Sequence, residues 1–164
     1  ILWIDAHADI NDYSSTLTGN LHGMPLGFHF EYTYNNVPWN HSHNQRLLKS
    51  NQLYYLGIRD IDDFEVKLIH NHNIDYSNYF DDSLKNYIGR TKNLMISFDV
   101  DALDPLYLDS TGTLAKNGLH PDTIKNTIKY CISKGKLVHL DITELNPDIG
   151  DIDKSLNTLK NIFL

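Results

Sequence analysis

At 164 residues the chain has the length of one domain and enough sequence to bury a core. Hydrophobic residues make up 41% and charged residues 21%, as in ordinary globular proteins, and the net charge of −7 argues against a nucleic-acid partner, which needs a clustered basic surface. No apolar run approaches the ~20 residues of a membrane span, so no membrane partner is expected. The single cysteine, Cys131, excludes an intrachain disulfide and fits a reducing, cytoplasmic setting.

Taken in chain order, short apolar runs alternate with segments of helical period. Residues 1–5 are a β run ending in polar residues, and the spacing predicts a helix over 23–30. Residues 31–50, rich in Asn, Tyr, His and Ser, read as a surface loop. A second β run, QLYYLGI, covers 52–58, and a helix over 62–71 follows with apolar spacing at Phe64, Leu68 and Ile69. A weak strand is expected near 73–76 and a helix over 81–88, whose acidic start suits the positive end of the helix dipole. NLMISFD at 93–99 and KLVHLDI at 136–142 are further strands. The helix over 120–134 has a proline early and a glycine after its end, and the one over 151–162 carries Ile152, Leu156, Leu159 and Ile162 on one face. Continuous apolar runs suit strands covered on both faces, so the order indicates an α/β layered fold around a mostly parallel sheet. Ligands in such folds sit beyond the carboxyl ends of the strands.

The unusual residues cluster at those ends. The first strand runs into Asp5-Ala6-His7-Ala8-Asp9 and the run at 93–99 into Asp99-Val100-Asp101. In extended chain a spacing of two puts side chains on one face, so Asp5, His7 and Asp9 can converge and meet Asp99 and Asp101 from a neighbouring strand. Packed carboxylates repel one another, and no Lys or Arg cluster lies nearby in sequence to neutralise them. Divalent cations would do so, and oxygen donors with an imidazole suit manganese better than zinc, iron or cobalt. The bland reading is a set of solvated strand-end carboxylates that cap loops and helices.

Three further blocks lie in order with these two: Thr18-Gly19-Asn20-Leu21-His22-Gly23, Leu56-Gly57-Ile58-Arg59-Asp60-Ile61-Asp62, and Asp141-Ile142-Thr143-Glu144-Leu145-Asn146-Pro147. The second metal-type block extends as Ser97-Phe98-Asp99-Val100-Asp101-Ala102-Leu103-Asp104-Pro105. Over nearly the whole chain this series resembles the arginase family of ureohydrolases. The resemblance implies a three-layer fold with a mostly parallel β-sheet flanked by helices. It also implies two manganese ions per site and hydrolysis of the L-arginine guanidinium to L-ornithine and urea by a metal-bridging hydroxide. Asp5 and Asp99 would bridge the ions, His7 and Asp101 would complete the ligands of one, and Asp9 would bind the other and pass a proton to the leaving amine. His22 would shuttle protons, and Glu144 would hold the guanidinium with help from Thr113. Asn11 and Thr18 would meet the α-carboxylate, with Asn20 in the same block, while Asp62 and, through water, Glu65 would meet the α-amino group. A homo-oligomer, trimer or hexamer, is implied for the parent.

Several features depart from the family pattern. Ala102 stands where Gly is usual, Thr18 where Ser is usual, and Asn117-Gly118 replaces a Gly pair. The family's additional ligand histidine, in a Gly-Gly-Asp-His block, would lie upstream of Ile1, and its C-terminal tail beyond Leu164. Residues 1–164 are therefore expected to be a single domain truncated at both ends, with one metal short of a ligand. An agmatinase-like relative, and a truncated relative that only binds metal or partners, stay open as alternatives. A histone-deacetylase-like hydrolase has differently spaced metal motifs and gives Glu144 no purpose. The pairs His41 and His43, and His70 and His72, lie in Asn-rich stretches without acidic partners and are expected to be solvated. His29, His120 and His139 are assigned to packing, hydrogen bonding or a first helical turn, Tyr54 and Tyr55 to core packing, Cys131 to a buried inert thiol, and Arg59 to pairing with local acids.

Overall fold

A computed structural model describes residues 1–34 and 46–164. Five strands, β1 (Leu2–Ile4), β2 (Tyr54–Leu56), β3 (Asp75–Ser77), β4 (Leu94–Asp99) and β5 (Leu137–Thr143), form one parallel sheet in the order β3-β2-β1-β4-β5. Parallel neighbours need long crossovers, which α1 (Asp63–Asn71), α2 (Asp82–Arg90) and α3 (Pro121–Ser133) provide; α4 (Ile152–Phe163) follows β5. Each helix starts where a short polar side chain satisfies free backbone donors. Asp62 and Glu65 form a reciprocal capping box on α1, Asp81 and Asp151 cap α2 and α4, and His120 caps α3 ahead of Pro121.

Alternation along the strands splits the core between the two faces of the sheet. Leu2, Ile4, Tyr54, Leu56, Ile96 and Phe98 pack with α2, α3 and α4, burying Cys131 as expected. On the other face Trp3, Leu53 and Tyr55 pack with Leu68 and Ile69 of α1 and with Leu26 and Phe30. That is the three-layer arrangement. The sheet grows outward in both directions from β1, toward β2 and β3 on one side and β4 and β5 on the other. The switch point therefore lies between the tips of β1 and β4, where open α/β sheets leave a crevice.

The helix expected over 23–30 does not form. Leu21–Gly23 is a single 3-10 turn, and a string of turns leads to a bridge between Phe30 and Leu48. Tertiary contact wins over local period here. The Leu26 N–H donates to Asp9 O at 3.0 Å rather than to a helical partner, and a Cβ on Gly27 would stand 2.0 Å from Asn11 O. Pro25 lacks a donor in the same stretch. The weak strand expected at 73–76 forms one residue or two later, as the edge strand β3. Among the described residues no helix is long and apolar enough to cross a membrane.

Candidate metal centre

The tip of β1 is stitched to both its neighbours. Asp5 N–H donates to Leu56 O of β2 at 3.1 Å, and Ala6 N–H donates to Asp101 Oδ1 beyond β4 at 3.1 Å. The side chains converge as the spacing predicts, but not by extended alternation. Asp5 Oδ1 accepts from His7 N–H at 2.7 Å, and Asp99 Oδ1 accepts from Asp101 N–H at 2.9 Å, closing a 3-10 turn over Val100–Ala102. Asp9 has φ 52° and Glu144, just past β5, has φ 63°. Left-handed backbone is uncommon outside glycine, and such residues concentrate where the surrounding structure enforces a functional geometry.

His7 Nδ1 lies 3.1 Å from Asp101 Oδ2 and 3.4 Å from Asp5 Oδ1. One ligand-type atom from each of Asp5, His7 and Asp101 lies within 4.8 Å of the other two. Above them a cleft of about 120 Å³ is lined by His7, Asp9, His22, Gly23, Asp99, Asp101, Thr113 and Glu144. Asp5, Asp99 and Asp101 are all buried, so their charges are poorly screened.

Electrostatics make the cluster costly on its own. Burial, followed by repulsion from Asp101, pushes the Asp5 carboxyl up to about 6 against the opposing hydrogen bond from His7. Burial and then Asp5 push Asp9 to about 8, and burial, Asp5 and Asp101 push Asp99 to about 9. Hydrogen bonds to Asp101 and Asp5 raise His7 to about 11. Burial opposes ionisation of Asp101 too, but its hydrogen bond with His7 holds it low. The protein thus folds acidic groups into a place that asks for positive charge. The donor set, carboxylate oxygens with one imidazole, fits manganese, and the buried His7 Nε2 has no hydrogen-bond partner of its own.

Some expected site residues sit outside this cleft. Asn11 and Asp62 meet each other, with Asn11 Nδ2 donating to Asp62 Oδ2 at 2.7 Å. Glu65 is buried beneath them, where its carboxylate accepts from Ile10 N–H at 3.3 Å and Asp62 N–H at 3.1 Å. Thr18 and Asn20 are exposed and do not line the cleft, with Thr18 Oγ1 accepting from Asn20 N–H at 3.2 Å. Two neighbours of the centre escaped the sequence reading. Gly23 walls the cleft, and Asp60 Oδ2 comes within 3.7 Å of His7 Nε2. Neither is legible from spacing, because each depends on where a loop folds back.

Of the residues set aside, His120 caps α3, His139 Nε2 lies 2.9 Å from Asp141 Oδ1, and Tyr54 and Tyr55 are fully buried. His70 is exposed, whereas His72 is half-buried and stacks on Tyr32 at 3.5 Å between ring centroids. His41 and His43 lie outside the described residues. Arg59 does not pair with acids as expected; its guanidinium hydrogen-bonds to backbone carbonyls.

A parallel α/β sheet with carboxylates and an imidazole gathered at its switch point defines the class of α/β proteins whose strand tips bear a group able to hold a metal ion. The family model for the arginase family matches residues 1–161, and the chain belongs to that family. It is 35% identical over 170 residues to an arginase of Plasmodium berghei, covering 96% of this chain and 48% of that protein. It is 33% identical over 174 residues to an arginase of Schizosaccharomyces pombe, covering 97% and 53%. Among solved structures it resembles the arginase of Entamoeba histolytica in complex with L-ornithine, with a TM-score of 0.80 and 28% identity over 98% of this chain and 57% of that one. The chain spans about half the length of the curated relatives it matches.

Proposed function

We propose that this chain carries the cation-binding and guanidinium-binding core of an enzyme that hydrolyses L-arginine to L-ornithine and urea with manganese. The observation that carries the reading is the convergence of strand-tip carboxylates, His7 and Glu144 on one cleft. Family membership and the Entamoeba histolytica relative solved with L-ornithine support the substrate. Asp5, His7, Asp9, Asp99 and Asp101 would hold the two manganese ions. When bound, the ions supply positive charge that lowers the pKa of water and so makes a nucleophile at neutral pH.

The protein's own groups supply the rest of the chemistry. A guanidinium is resonance-stabilised and stays charged, so its carbon resists attack until it is held and oriented. Glu144 accepts charge-assisted hydrogen bonds from that planar fork, and Thr113 lines the same cleft. Asp9 holds the proton released as oxygen adds to the guanidinium carbon and delivers it to the departing amine, so that the C–N bond breaks to urea and a neutral amine. His22, which lines the cleft, carries away the separate proton lost when water becomes the nucleophile, to solvent or onto the neutral amine. Asn11 and Thr18, with Asn20 in the same block, would meet the α-carboxylate, and Asp62, with Glu65 acting through water, would meet the α-amino group. Family likeness supports a homo-oligomer, trimer or hexamer, for the whole protein, and the single Cys131 supports a reducing, cytoplasmic setting.

Urea release from L-arginine by the protein that carries this chain, with added manganese, is the test. Turnover of L-arginine well above that of agmatine supports the reading. Turnover of agmatine alone reassigns the substrate, and no urea from either overturns hydrolysis.

A further inference from the structure

Arg59 has a hydrogen-bonding pattern that charge alone does not explain. Its Nε donates to Lys116 O at 3.0 Å, Nη1 to Gly57 O at 3.0 Å and Ala102 O at 3.2 Å, and Nη2 to Asp101 O and Ala115 O, both at 2.8 Å. Among the described residues none of its hydrogen bonds or ion pairs goes to a carboxylate, although Asp60 and Asp101 are close in chain or space. Its own backbone N–H donates to Ala6 O at 2.8 Å, and the Asp60 N–H reaches the same oxygen at 3.0 Å. Ala6 N–H in turn donates to Asp101 Oδ1.

These bonds close a ring through the two segments that bear the cation-type ligands. One side is Ala6, between Asp5 and His7, and the other is the turn at Asp101 and Ala102. The guanidinium also clasps the loop at Ala115 and Lys116, two residues beyond Thr113 of the cleft wall. Gly57 makes the inward path possible. Its φ is +101°, and a Cβ there would stand 2.9 Å from Leu119 Cδ1 and 3.2 Å from Asp5 O.

We infer that Arg59 is a positioning residue: its backbone N–H on Ala6 O holds the β1 tip while its guanidinium grips the carbonyls of Asp101 and Ala102, and the two together set the spacing that gives the cleft its affinity for divalent cations. The inference rests on the cation-binding reading of the cleft. A planar fork with donors in fixed directions can span several carbonyls at once, whereas a lysine ammonium is a point charge with fewer donors and no plane. Arg59→Lys therefore keeps the charge and loses the geometry. Partners that orient metal ligands from behind are worth about 10- to 100-fold in metal affinity.

Manganese titrations of the protein that carries this chain, by calorimetry with thermal melts of the same samples, test this. Arg59→Lys is expected to remain folded at the titration temperature and to bind manganese about 10- to 100-fold more weakly. An unchanged manganese affinity in a variant that merely melts lower makes Arg59 an ordinary stabilising residue and overturns the inference. No manganese binding by the unsubstituted protein overturns the reading of the cleft, and this inference with it. Should Arg59→Lys fail to fold, amide hydrogen exchange on the unsubstituted protein decides. Manganese is expected to slow exchange at Arg59 and Asp60 together with Ala6 and Asp101, whereas slowing at Ala6 and Asp101 alone overturns the coupling.

Discussion

Phe98 and Asp99 are adjacent on β4 and belong to different regimes. Phe98 is fully buried with Ile4 and Ile96 in the apolar waist of the sheet, its ring 6.3 Å from that of Phe163. Asp99 is buried at the tip among Asp5 and Asp101, where burial and like charge push its carboxyl up to about 9. The waist gains by hiding apolar area, at roughly 25 cal/mol per Å². The tip loses by hiding charge. A sheet of this kind is thus a stable body that holds a destabilising edge in place, and the edge is where ligands are recognised.

Opposite responses to substitution would sharpen that contrast. Phe98→Ala is expected to cost about 3–5 kcal/mol in chemical denaturation, because the space it leaves is walled by close-packed neighbours. Less than about 1 kcal/mol would mean the waist is loosely packed. Asp99→Asn is expected to weaken manganese binding by roughly 100-fold or more while the metal-free chain melts higher at about pH 8, since folding no longer has to force a proton onto a carboxyl that the unfolded chain keeps ionised. A metal-free Asp99→Asn that melts lower would break the comparison. Glu144→Gln keeps shape and loses charge. It should reduce kcat/KM on L-arginine by roughly 10- to 100-fold, equivalent to the ~1.5–3 kcal/mol of a charged hydrogen bond, and leave manganese affinity nearly unchanged.

The smallest expected effect is on pH dependence. A carboxyl whose folded pKa exceeds its unfolded value binds its proton more tightly when folded, so its contribution is complete below the unfolded value and is lost as pH rises through the folded one. Asp5, Asp9 and Asp99, raised from 3.8 to about 6, 8 and 9, act in this direction. His7, raised from 6.5 to about 11, does the same over a higher window, and the lowered Asp101 opposes them. The metal-free chain should therefore melt on the order of 5 °C lower at about pH 8.5 than at about pH 5. Manganese should recover more of that loss at the higher pH, because ligands must shed protons to bind. A metal-free melting temperature that rises between those values would show that other groups dominate.

Much of the centre was legible because its parts are local. Asp5, His7 and Asp9 stand within one short stretch, as do Asp99 and Asp101, and each stretch follows a run apolar enough to be a strand. The helix expected over 23–30 failed because its period matches a helix while Gly27 must press against Asn11. The Asn11–Asp62 bond crosses 51 positions, so no pattern along the chain announces it.

From its amino acids alone this chain determined its alternation of strands and helices, the capping that starts each helix and the side chains able to hold a divalent cation, since these follow from neighbouring residues. The tertiary structure decided how those side chains meet: the left-handed turns at Asp9 and Glu144, the 3-10 turn after Asp99 and the clasp of Arg59. Such conformations are unfavourable in isolation, and they persist only where contacts from distant parts of the chain hold them.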